Sequence, residues 1–208
     1  GNPGLDLALG SWANGPYVVT SVAIYMGADD PFAGSLELPE HFHEDRKKMW
    51  QTQFDTDALG PRLAGYRSQL DAHTHFINLQ LADGRPYLTG EQPSWVDMHA
   101  MWDPWFLFAF APTEAERAYG RFPKISAWLA RLAELGQGER IEMPAATALD
   151  IARDATPLPP TGIDAHDPLG ISAGTQVCVS PSDYAEANIV GELVGTTVNT
   201  VSVRREDP

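Results

Sequence analysis

The chain has 208 residues, 43% of them hydrophobic and 20% charged, an ordinary globular composition with enough apolar material for a core. A net charge of −14 and a pI near 4.6 give a surface that repels phosphate backbones and anionic lipid. Nucleic-acid binding and membrane docking are therefore disfavoured, and the charge reads as solubility.

The start, Gly1-Asn2-Pro3-Gly4, has no basic or apolar region of a signal peptide and no initiator Met. No stretch reaches the ~20 apolar residues of a membrane span. A soluble cytoplasmic protein is the default expectation. Leu5, Leu7, Ala8, Leu9 and Trp12 suit a helix, and Asn14-Gly15-Pro16 is expected to interrupt it, because Pro16 has no N–H to donate. Tyr17 to Tyr25 is apolar and β-branched like a strand, but its context makes it helix. Residues 27–37 are turn-rich. From Pro39 a short solvated helix is expected, with acids leading and bases following as the helix dipole prefers.

A long amphipathic helix follows, from about residue 57 or 61 to residue 82. Leu59, Leu63, Tyr66, Leu70, His73, Ile77 and Leu81 recur every three or four residues along one stripe, which Asp83-Gly84 ends. Ser94 can cap the next helix, with Asp97 returning the bond three residues on. Trp95 to Phe110 is apolar almost all round, so this helix is expected to be central and buried, with a kink near Ala100 from Pro104. Pro123 opens another helix whose buried face is Ile125, Trp128, Leu129, Leu132 and Leu135, stopped by Gly136. A last helix covers about 144–155.

Residues 156–174 are rich in Pro and Gly and read as a linker or strap. Beyond them the period changes to two. Strands are expected around Val177 and Val179, at 189–194 and at 197–203, with a turn at Gly195-Thr196. The single cysteine, Cys178, cannot form an internal disulfide and reads as a half-buried strand residue rather than a nucleophile.

Two blocks carry a family resemblance. Tyr87-Leu88-Thr89-Gly90, then Pro93-Ser94-Trp95-Val96-Asp97, resembles the glutathione transferase C-terminal-domain pattern of an aromatic residue, Leu and Gly followed by Pro-Ser-x-Ala-Asp, with Val96 where the family usually has Ala. Phe122-Pro123-Lys124-Ile125-Ser126-Ala127-Trp128 is similar to the start of that family's next long helix. The resemblance covers about residues 5 to 155. It implies a mainly α fold, a glutathione transferase C-terminal-like helical bundle in residues 1–155. A linker at 156–174 and a small β-rich module at 175–208 follow; the module is similar to a β-barrel extension of some bacterial transferase-like proteins and is expected to be a truncated, partial barrel. In the family, Ser94 and Asp97 would be the structural capping box, with no part in catalysis.

The family binds glutathione on a thioredoxin-like domain, and no βαβ pattern for one is found here. The chain is expected to be a fragment of a longer protein and inactive by itself. The resemblance implies glutathione as co-substrate of the parent and no other cofactor. Its partners would be glutathione and an apolar electrophile, reached through the missing domain, with a homodimer among the assemblies it allows. The family's electrophile pocket lies between domains and draws on the first helix of the helical domain, which nominates Trp12 and Tyr17, with Trp102 a third; no catalytic residue is assigned. Most of the aromatics are read as core. A non-catalytic helical binding or assembly module is the alternative, since fold does not fix function. His41-Phe42-His43 and His73-Thr74-His75 fall in helical segments, where residues two apart diverge, so neither pair is read as a metal site.

Overall fold

The computed structural model describes residues 2–27, 39, 41–50, 53, 55, 58–182 and 188–205. The chain is mainly helical with a small antiparallel sheet. It divides into two compact units, Gly1–Gly138 and Glu139–Pro208.

Helix α1 (Pro3–Trp12) is capped by Asn2, whose side chain accepts the Leu5 N–H at 3.3 Å, and Pro3 stands in the first turn, where no N–H is needed. The expected interruption at Asn14-Gly15-Pro16 does not occur. The chain passes through one wide turn, Ala13–Tyr17, directly into α2 (Val18–Gly27). There the Val18 N–H reaches the Ala13 carbonyl five residues back. Widening the ladder by one residue lets the Pro16 ring pass the preceding turn without breaking the helix. The Thr20 hydroxyl donates to the Pro16 carbonyl at 2.6 Å.

Helix α3 (Phe42–Trp50) starts later than Pro39. The Phe42 N–H bonds to the Pro39 carbonyl at 2.9 Å. Glu44 and Asp45 lie in its first turn and Lys47 and Lys48 in its last. The turn-rich reading of residues 28–37 lies outside the described residues. Helix α4 (Leu59–Gln80) carries the stripe: Leu59, Leu70, Ile77 and, just past its end, Leu81 are buried. Gly84, at φ +91°, turns the chain away.

Helices α5 (Trp95–Phe110), α6 (Pro112–Tyr119) and α7 (Pro123–Glu134) complete the core, in which Val96, Ala100, Leu107, Tyr119, Ile125 and Trp128 are fully buried. Helix α6 was not anticipated. Its signal is Pro112 in the first turn and Ala115, Ala118 and Tyr119 at helical spacing. Helix α5 is not buried all round. Val96, Asp97, Ala100, Asp103, Pro104 and Leu107 form its buried face. On the opposite side Trp95 is 69% and Trp105 52% exposed, with Met98, Trp102 and Phe108 also exposed. Close helix packing takes the smaller side chains inward and leaves the large rings outside.

In the second unit α8 (Ala145–Asp154) buries none of its residues. Strands β1 (Gln176–Val179), β2 (Ile189–Thr197) and β3 (Thr200–Arg204) form an antiparallel sheet in the order β1–β2–β3. Val177 pairs with Gly191, and Leu193 with Val203. The turn lies at Val198-Asn199, not at Gly195-Thr196, because β2 continues through a bulge between Leu193 and Gly195. The hydroxyls of Thr197 and Thr200, 2.6 Å apart, close the hairpin. Gly195 is where the strap crosses: it bridges Gly162, and a Cβ there would lie 2.7 Å from Thr161 Oγ1. Cys178 is exposed, since Val177 and Val179 take the half-buried side of β1. No helix among the described residues is long and apolar enough to cross a membrane.

Candidate functional site

A cavity of about 420 Å³ opens in the helical unit between α2, α3 and α5. Helix α2 contributes Val22, Tyr25 and Met26. Helix α3 contributes Phe42, Arg46, Met49 and Trp50. Helix α5 contributes Trp102, Trp105, Phe106 and Phe110. Trp102 and Phe106, one helical turn apart, stack with centroids 4.6 Å apart and planes 9° apart. Tyr25 meets Phe106 edge-on at 5.0 Å and Phe110 at 6.1 Å. Burial pushes the Tyr25 hydroxyl up to about 12, so it stays protonated near neutrality. The described wall residues offer aromatic faces, two thioethers and a valine, which suit a flat apolar guest. Among the described residues lining it, Arg46 is the one that carries a charge.

The three residues nominated from sequence fall in two places. Trp102 lines the cavity. Trp12 and Tyr17 stack on each other instead, centroids 5.0 Å apart, in a cluster with His73 and Phe76. The Trp12 indole N–H donates to His73 Nδ1 at 3.0 Å, so that nitrogen is unprotonated. Burial lowers the His73 pKa, consistent with a neutral ring. Tyr17 is 0% exposed and its hydroxyl pairs with that of Tyr119 at 2.8 Å. His75 is exposed while His73 is half-buried, so this pair does diverge. Of the other pair, only His41 has a described side chain. No cluster of three or more potential metal ligands occurs among the described residues.

The capping residues form a buried hub. Asp97 Oδ2 accepts the Ser94 N–H at 2.8 Å and the Ser94 hydroxyl at 2.9 Å, and the capping box closes. Its Oδ1 accepts the Leu88 N–H and the Trp128 indole N–H, each at 2.8 Å. One carboxylate thereby ties together the loop before α5, α5 itself and α7.

Asp103 is a second buried carboxyl, 0% exposed, and neither oxygen has a hydrogen-bond partner of ordinary geometry among the described residues. Burial pushes its pKa well above the usual carboxylate value, and the Ser21 hydroxyl alongside acts in the opposite direction. The carboxyl is therefore held toward its neutral form. Tyr17 and Tyr119 are buried beside it, and burial raises both phenols.

These packed helices make a fold similar to that of a solved glutathione transferase-like (GST-like) protein. A solved GST-like protein from Pseudomonas syringae superposes with a TM-score of 0.67 and is 25% identical, over 97% of this chain and 61% of that one. The chain thus spans about three fifths of its structural relative. The chain belongs to the family described as a domain of unknown function, DUF7962, whose model matches residues 31–138. No curated protein matches it.

Proposed function

We propose that the helical unit supplies the apolar wall of a ligand site in a GST-like protein, the side that takes the hydrophobic substrate of glutathione conjugation. The observation that carries the reading is the cavity between α2, α3 and α5, with its stacked Trp102–Phe106 pair. The likeness to a solved GST-like protein supports it. We assign this wall to Trp102, Trp105 and Phe106, and not to Trp12 or Tyr17, because Tyr17 has no surface to offer and Trp12 is engaged with His73. In the proposed reaction a lowered glutathione thiol pKa yields a thiolate that attacks the electrophile. The group that activates the thiol is assigned to no residue of this chain.

The test is titration with the neutral fluorescent probe N-phenyl-1-naphthylamine. Trp102→Ala and Phe106→Ala should each weaken binding about fivefold or more, and Trp12→Ala should leave it unchanged. Saturable binding that none of these variants alters would move the ligand elsewhere. Turnover with glutathione and an aryl halide by the chain alone would show that it holds an activating group after all.

A further inference from the structure

Resting on the reading of this cavity as a ligand site, we infer that its ligand is a flat aromatic anion, whose rings enter between α2 and α5 and whose acid group meets Arg46. Among the described residues of the lining, Arg46 carries the charge and the others are apolar or aromatic. Its guanidinium is placed by the walls: it lies over the Phe42 ring, 5.3 Å from the centroid, and Nη1 donates to Met49 Sδ at 3.2 Å. A thioether is a weak acceptor for a guanidinium N–H, and an oxyanion in its place makes a charge-assisted bond. The counter-ion is Asp45, the adjacent residue, held through Nε and Nη2. That pair is largely exposed, 41% for Arg46 and 63% for Asp45, so it contributes little and opens readily to a competing anion. The remaining guanidinium edge toward Met49 faces the cavity wall. The net charge of −14 works against any anion at long range, so a preference for one has to arise from this local cation.

The experiment compares two probes with the same rings, measured on the full chain. They are 1-anilinonaphthalene-8-sulfonate, which carries an acid group, and N-phenyl-1-naphthylamine, which does not. The sulfonate should bind about tenfold more tightly. Arg46→Gln should bring the two affinities to within about twofold of each other. Arg46→Lys, which keeps the charge and loses the fork, should fall between, and circular dichroism of both variants should match the parent. Equal affinities in the parent, or a preference that survives in Arg46→Gln, overturns the inference while leaving the apolar site standing. Failure of both probes to bind, or a neutral probe indifferent to Trp102→Ala, removes the site and the inference together.

Discussion

Asp97 accepts four hydrogen bonds, from Leu88, twice from Ser94 and from Trp128. Removing its carboxylate strands buried donors at about 1–3 kcal/mol each. Asp97→Ala is expected to cost about 3–5 kcal/mol, well beyond the 0.5–2 kcal/mol or so of an ordinary lost cap. Ser94→Ala should stay within that smaller range. Trp128→Phe should be less than additive with Asp97→Ala, since both break one network. Urea midpoints decide this: equal losses in Ser94→Ala and Asp97→Ala would reduce the hub to a simple cap. Asp103 gives a prediction of opposite sense. An unfolded aspartate titrates near a pKa of about 4, whereas burial raises the folded value well above the carboxylate range. The unfolded state therefore releases its proton first as pH rises. Stability is lost from about pH 4 upward until the folded carboxyl also ionises, and is level beyond that. Asp103→Asn removes the titration. The parent's urea midpoint should decline against that of Asp103→Asn as pH rises above the unfolded value of about 4, and parallel curves would refute a neutral buried Asp103.

At the scale of elements, the sequence disclosed what rests on local periodicity and caps. The α4 stripe, the Ser94–Asp97 box and the alternating strands each follow from residues a few positions apart. It did not disclose the wide turn at Pro16, because a broken and a widened helix begin with the same Asn-Gly-Pro signal. Nor did it disclose which face of α5 is buried, since every face is apolar and only the neighbouring helices choose. Trp102 was legible as an aromatic on that helix. Arg46 and Met49 were not, because the charges of α3 pointed to a solvated helix. The overlooked signal is Phe42, Arg46, Met49 and Trp50, one face at helical spacing. The β2–β3 pairing offers a direct test of element packing. A Cβ on Gly191 would lie 2.5 Å from the Arg204 carbonyl oxygen and 2.5 Å from Val203 Cγ1. Backbone cannot yield as a side-chain tip does, so Gly191→Ala should destabilise the sheet by about 1–3 kcal/mol. Hydrogen exchange should show lost protection at β3 amides, and unaltered protection there would mean that the strands accommodate the added Cβ without parting.

At the scale of the whole molecule, the two units differ in how they are held. Among the described residues, every buried member of the large helical core lies between Ala13 and Leu132, inside the first unit. Among its described residues the second buries few large apolar side chains, with Leu193 the main one, and leaves Val198 95% and Val201 53% exposed. Its sheet has β2 at the centre and β1 and β3 as edges. Three short strands bury too little to be very stable, and open edges invite pairing with another strand. The helical unit should therefore stand by itself. All six tryptophans, Trp12, Trp50, Trp95, Trp102, Trp105 and Trp128, lie within it, so tryptophan fluorescence reports on this unit alone. A chain ending at Gly138 is expected to reproduce the fluorescence unfolding curve of the full chain to within about 0.5 kcal/mol, the scale of changes that leave a core intact. It should also bind N-phenyl-1-naphthylamine with the same affinity, because every described residue lining the cavity lies within the first unit. A truncated chain that is insoluble, or that unfolds at a clearly lower urea concentration, would show that residues 139–208 are needed to hold the helical core together.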